Sequence, residues 1–87
     1  MSPEEILAAI AEVARAHLDW RGPVEPGMRL VEDLELDSLR RLTLAVEVEN
    51  RFRIKLEPED EAGLETVADL VAAVLRKLSG GTAPGLR

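Results

Sequence analysis

The sequence contains no cysteine, so neither disulfide bonds nor thiolate metal sites can support the fold. Aromatic residues make up 2% of the 87 residues against 46% apolar residues overall, so any core must be aliphatic. Such a core suits close-packed helices better than a sheet, which favours aromatic and β-branched residues. No apolar run approaches the roughly 20 residues needed to cross a bilayer, and no signal peptide is recognisable. We expect one small cytoplasmic domain without membrane insertion.

Positive charge is scarce and unevenly placed in a chain whose formal net charge is -6. Residues 1–37 hold nine acids and three bases, and residues 56–87 hold six acids and three bases. Residues 38–55, by contrast, hold two acids and five bases. The acidic total argues against nucleic acid as a partner, and the sequence shows no series of aromatic residues that could stack on bases. The acidic ends are explained by a solvated surface, whereas the basic middle is unusual.

Catalytic and metal sites lack residues that they need. The only histidine, His17, falls near the end of the first helical segment, and nothing in the sequence places it beside a serine that it could activate. Asp33, Glu35 and Asp37 alternate as in a calcium loop, but the glycine and the closing glutamate of such a loop are missing. We therefore predict that the protein is not an enzyme and holds no metal.

Apolar periodicity and capping residues predict three long helices and one short helix. The first should begin at Ser2 and end near Trp20, because a Gly-Pro pair follows. The others should cover residues 38–51, 59–62 and 66–78. The last should bury the apolar side chains of Val67, Leu70, Val71, Val74, Leu75 and Leu78. These segments predict an all-α fold, a small four-helix bundle.

We expect the bundle to occupy residues 1–78, followed by a disordered tail over residues 79–87. A long loop over residues 21–36 should separate the first two helices, because glycine and proline interrupt the helical period there. Several apolar residues recur along this loop and need burial: Met28, Leu30, Leu34 and Leu36. An ordered loop of this length usually has a function, which here would be to deliver Ser38 to the surface.

The tripeptide Asp37-Ser38-Leu39 places a serine where the acidic loop gives way to the second helix. Either Asp37 or Ser38 is a suitable N-cap. Ser38 should be exposed at the positive end of the helix dipole, where a phosphate esterified to it would gain from the dipole and from free N–H groups. On this serine alone, a simple capping role would be the favoured interpretation.

The tripeptide and its surroundings resemble the attachment site of the acyl carrier protein family. The resemblance covers roughly residues 3–78 without a gap, and its further residues are Leu30, Val31, Glu32, Asp33, Leu34, Glu49, Phe52, Ile54, Thr66 and Val67. It implies that Ser38 carries a covalent 4'-phosphopantetheine arm, installed from coenzyme A by a phosphopantetheinyl transferase. It further implies a monomeric shuttle that presents acyl thioesters to acyl-loading, condensing and acyl-transfer enzymes of a fatty-acid, lipid or polyketide pathway.

The resemblance also implies a partner-contact surface around the attachment site, formed by Asp37, Leu39, Arg40, Arg41, Leu42 and Val46. For Leu42, burial in the core is an equally good expectation. The common fatty-acid carriers have an acidic second helix, whereas here Arg40 and Arg41 follow the tripeptide at once. Each arginine opposes the helix dipole by up to about 1 kcal/mol. We therefore expect partners whose docking face is less basic, or acidic.

Two alternatives keep the same fold. One is an aminoacyl or peptidyl carrier, although the residues Glu35-Leu36-Asp37 favour the acyl type. The other is a helical interaction module that never carries an arm.

Glu35 stands where carriers often have glycine, so we expect ordinary backbone angles there. An acyl chain could enter between helices among the side chains of Leu44, Val48, Phe52, Leu64 and Leu70.

Overall fold

Residues 2–79 are described by a computed structural model and form four α-helices without a strand. The helices are α1 (Pro3–His17), α2 (Ser38–Phe52), α3 (Pro58–Ala62) and α4 (Val67–Ser79), and α1 packs against both α2 and α4. The predicted all-α bundle is confirmed. Ser79 belongs to α4 rather than to the predicted tail, and the rest of that tail lies outside the described residues.

The core is aliphatic except for Phe52, in keeping with the composition. The most completely buried large side chains come from α1, α2 and α4: Ile6, Ile10, Val48, Val67, Leu70 and Val74. No polar or charged residue within the described range is buried, so burial of apolar surface is the main stabilising term. The expectation for Leu78 was wrong. Its side chain is 41% exposed, because the last turn of α4 extends past the core cluster.

The helix α1 begins as predicted but ends earlier. Ser2 Oγ accepts a hydrogen bond from the amide of Glu5 at 3.2 Å, and the Ser2 amide donates to Glu5 Oε1 at 2.8 Å, which is a capping box. At the other end the helix stops at His17 rather than near Trp20. Asp19 adopts a left-handed φ of 58°, and the Trp20 amide donates back to the carbonyl of Ala14. The chain therefore turns before it reaches the Gly-Pro pair.

The loop between α1 and α2 is held against the start of α4 by backbone hydrogen bonds. The Leu30 amide donates to the carbonyl of Glu65 at 2.9 Å. In the opposite direction, the Val67 amide donates to the carbonyl of Met28 at 2.9 Å. Three loop leucines are buried in the core: Leu30, Leu34 and Leu36. These contacts make the loop an ordered support for the start of α2.

Glu35 contradicts the expectation of ordinary backbone angles, because its φ is 58°. In this left-handed region a Cβ atom crowds the following carbonyl oxygen, at a cost of roughly 1 kcal/mol or more. The position is therefore one that favours glycine, even though the sequence places glutamate there. Leu34 and Leu36, on either side of it, are both buried, and their amides donate to the carbonyls of Arg29 and Leu30, so Glu35 lies between two anchored residues.

Replacing Glu35 with glycine should raise the free energy of unfolding by up to about 1 kcal/mol, since glycine adopts this φ without steric cost. Urea denaturation of both proteins measures the change. The matched control is Glu25→Gly in the same loop, where φ is not positive and where glycine should destabilise by about 0.5–1 kcal/mol. A loss of stability in Glu35→Gly equal to that of the control would contradict the assignment of strain.

Asp69 secures the start of α4 and makes the fold sensitive to acid. Its Oδ2 accepts hydrogen bonds from the amides of Glu65 and Thr66, each at 3.0 Å. These bonds, that from Glu65 first, lower the pKa of the Asp69 carboxyl. A carboxyl with a lowered folded-state pKa stabilises the fold above its unfolded pKa, and that contribution is lost as pH falls through the folded pKa.

We expect Asp69→Asn to be less stable than the parent protein near pH 6, with the difference narrowing as the pH falls below about 4, the ordinary pKa of an aspartate. Urea denaturation at a series of pH values measures it. Glu65→Gln is the matched control, because this neighbouring acid offers only its backbone to Asp69. A stability difference for Asp69→Asn that stayed constant across this pH range would rule out the ionised carboxylate as its source.

Candidate functional site

Asp37, and not Ser38, caps α2. Asp37 Oδ1 accepts a hydrogen bond from the Arg40 amide at 2.8 Å, and the Asp37 carbonyl accepts from the Arg41 amide at 2.9 Å. The helix starts at Ser38, immediately after the cap. The Ser38 hydroxyl makes no hydrogen bond within residues 2–79. The capping role that would otherwise explain this serine is therefore filled by its neighbour.

Ser38 meets the requirements of a site for a phosphate ester. It is exposed as the first residue of α2, and the first turn of that helix contains no acid. In the described part of the chain, the amides of Ser38 and Leu39 donate no hydrogen bond. Free amides at a helix N-terminus, together with the dipole, stabilise a bound phosphate. The residues present therefore fit a phosphorylated group on Ser38 Oγ.

A cavity of about 190 Å³ opens beside Ser38. It is lined by Leu30, Ser38, Arg41, Leu44, Ala45, Glu61, Leu64 and Leu70. Its floor is aliphatic, whereas Ser38, Arg41 and Glu61 are its polar members. Of the residues expected to line a space for an acyl chain, Leu44, Leu64 and Leu70 do so. Val48 and Phe52 do not, because they are buried elsewhere in the core.

Sequence reasoning missed two residues of α2 on the cavity wall, Arg41 and Ala45. A signal for them was available, because residues three and seven positions after Ser38 share its face of a helix. Glu61 had no such signal. It reaches the cavity from α3, whose position relative to α2 depends on the return segment after Phe52. In that segment, the Leu56 amide donates to Glu49 Oε2 at 2.7 Å.

The expected partner-contact residues form an exposed surface around the start of α2. Leu39 is 71% exposed, Leu42 56% and Val46 41%. Their spacing puts them on one face of the helix, and the exposure of Leu42 shows that it lies outside the core. Arg40 and Arg41 are exposed too, and neither forms an ion pair with another described residue. The structure thus groups these side chains, while their contact with partners stays a prediction.

His17 is not brought to Ser38. Its Nε2 lies 3.3 Å from Glu47 Oε1, and Glu47 is more than two turns along α2 from Ser38, about 13 Å in axial distance.

Across residues 2–79, no three potential ligands of the His, Cys, Asp or Glu types are grouped so as to hold a metal ion. None of the helices in that range combines the length and apolar character required to cross a bilayer.

Comparison with known proteins identifies the family. Residues 4–74 match a family model described as "Phosphopantetheine attachment site". The acyl carrier protein of Myxococcus xanthus is 38% identical over 72 residues, which cover 80% of this chain and 90% of that protein. The chain belongs to the acyl carrier protein family. The predicted family, and the 4'-phosphopantetheine group that such a family attaches, are confirmed at this level, while Ser38 as the attachment residue stays a prediction.

Other acyl carrier proteins extend the comparison. The meromycolate extension acyl carrier protein of Mycobacterium tuberculosis is 37% identical over 75 residues, covering 85% of this chain. The chain spans 65% of the length of that relative. An acyl carrier protein of Thermotoga maritima superposes with a TM-score of 0.78 at 25% identity, covering 90% of this chain and 92% of that one. A putative acyl carrier protein of M. tuberculosis superposes with a TM-score of 0.66 at 32% identity, covering 85% of this chain and 95% of that one.

Proposed function

We propose that this protein is an acyl carrier whose Ser38 bears 4'-phosphopantetheine and that it serves a fatty-acid, lipid or polyketide pathway. The observation that carries the proposal is an exposed serine at the start of α2, released from capping by Asp37, beside an aliphatic cavity. When bound, the arm supplies a thiol on which acyl groups are held as thioesters. Relatives named as acyl carriers, among them a meromycolate extension protein, support a lipid pathway.

The chain's own residues would attach and orient the arm. Ser38 Oγ would form the ester bond, and the amides of Ser38 and Leu39 would stabilise the negative charge of the phosphate. Ser38 acts here as an attachment point and not as a nucleophilic catalyst, because catalysis would need a base within hydrogen-bond reach. His17, at the end of α1, pairs with Glu47, more than two turns along α2 from Ser38, and is therefore too far from Ser38 to be that base. Other enzymes would therefore perform the chemistry on the carried group.

The partners would be a phosphopantetheinyl transferase and acyl-loading, condensing or acyl-transfer enzymes. We infer that they contact the exposed face around the start of α2, formed by Asp37, Leu39, Arg40, Arg41, Leu42 and Val46. The apolar row supplies area to bury, and charge on the rim selects the partner and speeds encounter. We also propose that the carrier works as a monomer in the cytoplasm, where coenzyme A supplies the arm.

Intact-mass measurement tests the proposal. Incubation with coenzyme A and a promiscuous phosphopantetheinyl transferase should add one phosphopantetheine, and peptide mapping should place it on Ser38. No mass gain, under conditions that load a standard carrier fully, would favour the helical interaction module that never carries an arm. A gain that mapped to another residue would overturn the assignment of Ser38.

Arg40 and Arg41 predict that an enzyme with a basic docking face transfers its acyl group slowly to the arm-bearing protein. A generic fatty-acid malonyl transferase should load the arm-bearing protein about tenfold more slowly than it loads an acidic carrier, since like charges slow encounter. The double change Arg40→Glu and Arg41→Glu should raise that rate. The control is the matching charge reversal Arg53→Glu and Lys55→Glu. These two exposed cations lie beyond the end of α2, so the control should leave the loading rate unchanged. Loading as fast as the acidic carrier, unaffected by the first double change, would refute the prediction.

A further inference from the structure

Arg41 places a cation on the wall of the Ser38 cavity. Both residues line that cavity, and residues three apart on a helix are neighbours, with Cβ atoms about 5–6 Å apart. Arg40 lies in the same turn and is also exposed, but it is not among the residues that line the cavity. The two arginines carry the same charge and differ by only one residue in distance from the helix end, about 1.5 Å, so their main difference is which of them borders the cavity.

Arg41 lacks an ionic partner among residues 2–79, unlike several other arginines of this chain. Arg51 pairs with Glu12 at 2.7 Å and Arg76 with Asp60 at 3.4 Å. Glu61 lines the same cavity, yet no ion pair joins it to Arg41. A cation in the first turn of a helix is unfavourable for the dipole. Arg41 also lines a second cavity with Glu32 and Glu65, and since it pairs with none of these acids in the described chain, its guanidinium is available to another anion.

Building on the proposed attachment at Ser38, we propose that Arg41 is a positioning residue whose guanidinium contacts the phosphate esterified to Ser38. Guanidinium groups bind phosphate oxygens through paired N–H donors, with a geometry that lysine does not reproduce. The phosphate would neutralise Arg41 and remove its conflict with the dipole. Because Arg41 lies on the cavity wall, the contact directs the start of the arm over the cavity rather than toward the Arg40 side of α2.

Thermal unfolding of matched apo and arm-bearing proteins measures this contact. Attachment should raise the Tm of the parent protein and of Arg40→Gln by about 2–4 °C. In Arg41→Gln that gain should fall by at least half, and Arg41→Lys should retain part of it. About 0.5 M salt should reduce the gain of the parent protein, as screening requires. The ³¹P chemical shift of the attached phosphate should move in Arg41→Gln and not in Arg40→Gln.

The outcomes separate this inference from the proposed function. Intact mass first establishes complete loading; a parent protein that never loads refutes the attachment itself, and the inference with it. If both variants load fully but the rise in Tm on attachment falls equally in Arg40→Gln and Arg41→Gln, the role of Arg41 is overturned while the attachment at Ser38 stands. The helix dipole and the net charge would then explain both losses. Equal destabilisation of the apo protein by Arg41→Gln and Glu61→Gln would also overturn that role, since Glu61 would be the partner. Arg41 is exposed, and circular dichroism of the apo variants checks that they fold.

Discussion

Ser38→Ala should accept no phosphopantetheine from coenzyme A, while it keeps the helical content and the stability of the parent protein. The loss of modification follows because the substitution removes the one oxygen to which the arm is proposed to bond. Stability should change by no more than about 0.5 kcal/mol, because Ser38 is exposed and makes no side-chain hydrogen bond within residues 2–79. Intact mass after incubation with the transferase gives the first result, and urea denaturation the second.

A second serine provides the control. Ser79 is exposed in the last turn of α4, where its hydroxyl donates to the Leu75 carbonyl at 2.7 Å. Ser79→Ala removes the same hydroxyl group from the other end of a helix, where the dipole does not favour a phosphate. It should still gain one arm. If Ser38→Ala were still modified, Ser38 would not be the attachment residue. If Ser38→Ala failed to accept the arm because it unfolds, Ser38 would be needed for the fold, contrary to its exposed position.

Leu70→Ala should lower the free energy of unfolding by about 3 kcal/mol, much of the stability of a small domain. Leu70 is 1% exposed in α4 and forms part of the floor of the Ser38 cavity. Truncation removes buried apolar surface and enlarges that cavity, and the surrounding helices relax only partly into the space. Urea denaturation followed by circular dichroism measures the change.

The matched control makes the same substitution on the same helix at Leu78, which is 41% exposed. Leu78→Ala should change the free energy of unfolding by no more than about 0.5 kcal/mol. The periodicity of α4 places both leucines on its apolar face, so only the tertiary arrangement predicts different results for them. Equal losses from the two substitutions would show that the core extends to the last turn of α4, contrary to the structure.

Other contacts also could not be read from local patterns. Glu35 is left-handed between two buried leucines, whereas a propensity rule at that position favours ordinary backbone angles for glutamate. The end of α1 at His17 depends on the turn at Asp19 and on the bond from Trp20 to Ala14. A Gly-Pro pair sets the latest residue at which a helix can end. It does not exclude an earlier end.

The sequence by itself determined the four helices, the aliphatic core and the exposed position of Ser38, because caps and apolar spacing act within a few residues along the chain. The resemblance to acyl carriers also rests on residues in their linear order. Only the tertiary structure decided that Leu42 is exposed while Leu44 is buried, and that Glu61 of α3 shares a cavity with Ser38. Those features depend on how segments far apart in the chain pack together, and spacing along one helix does not specify that packing.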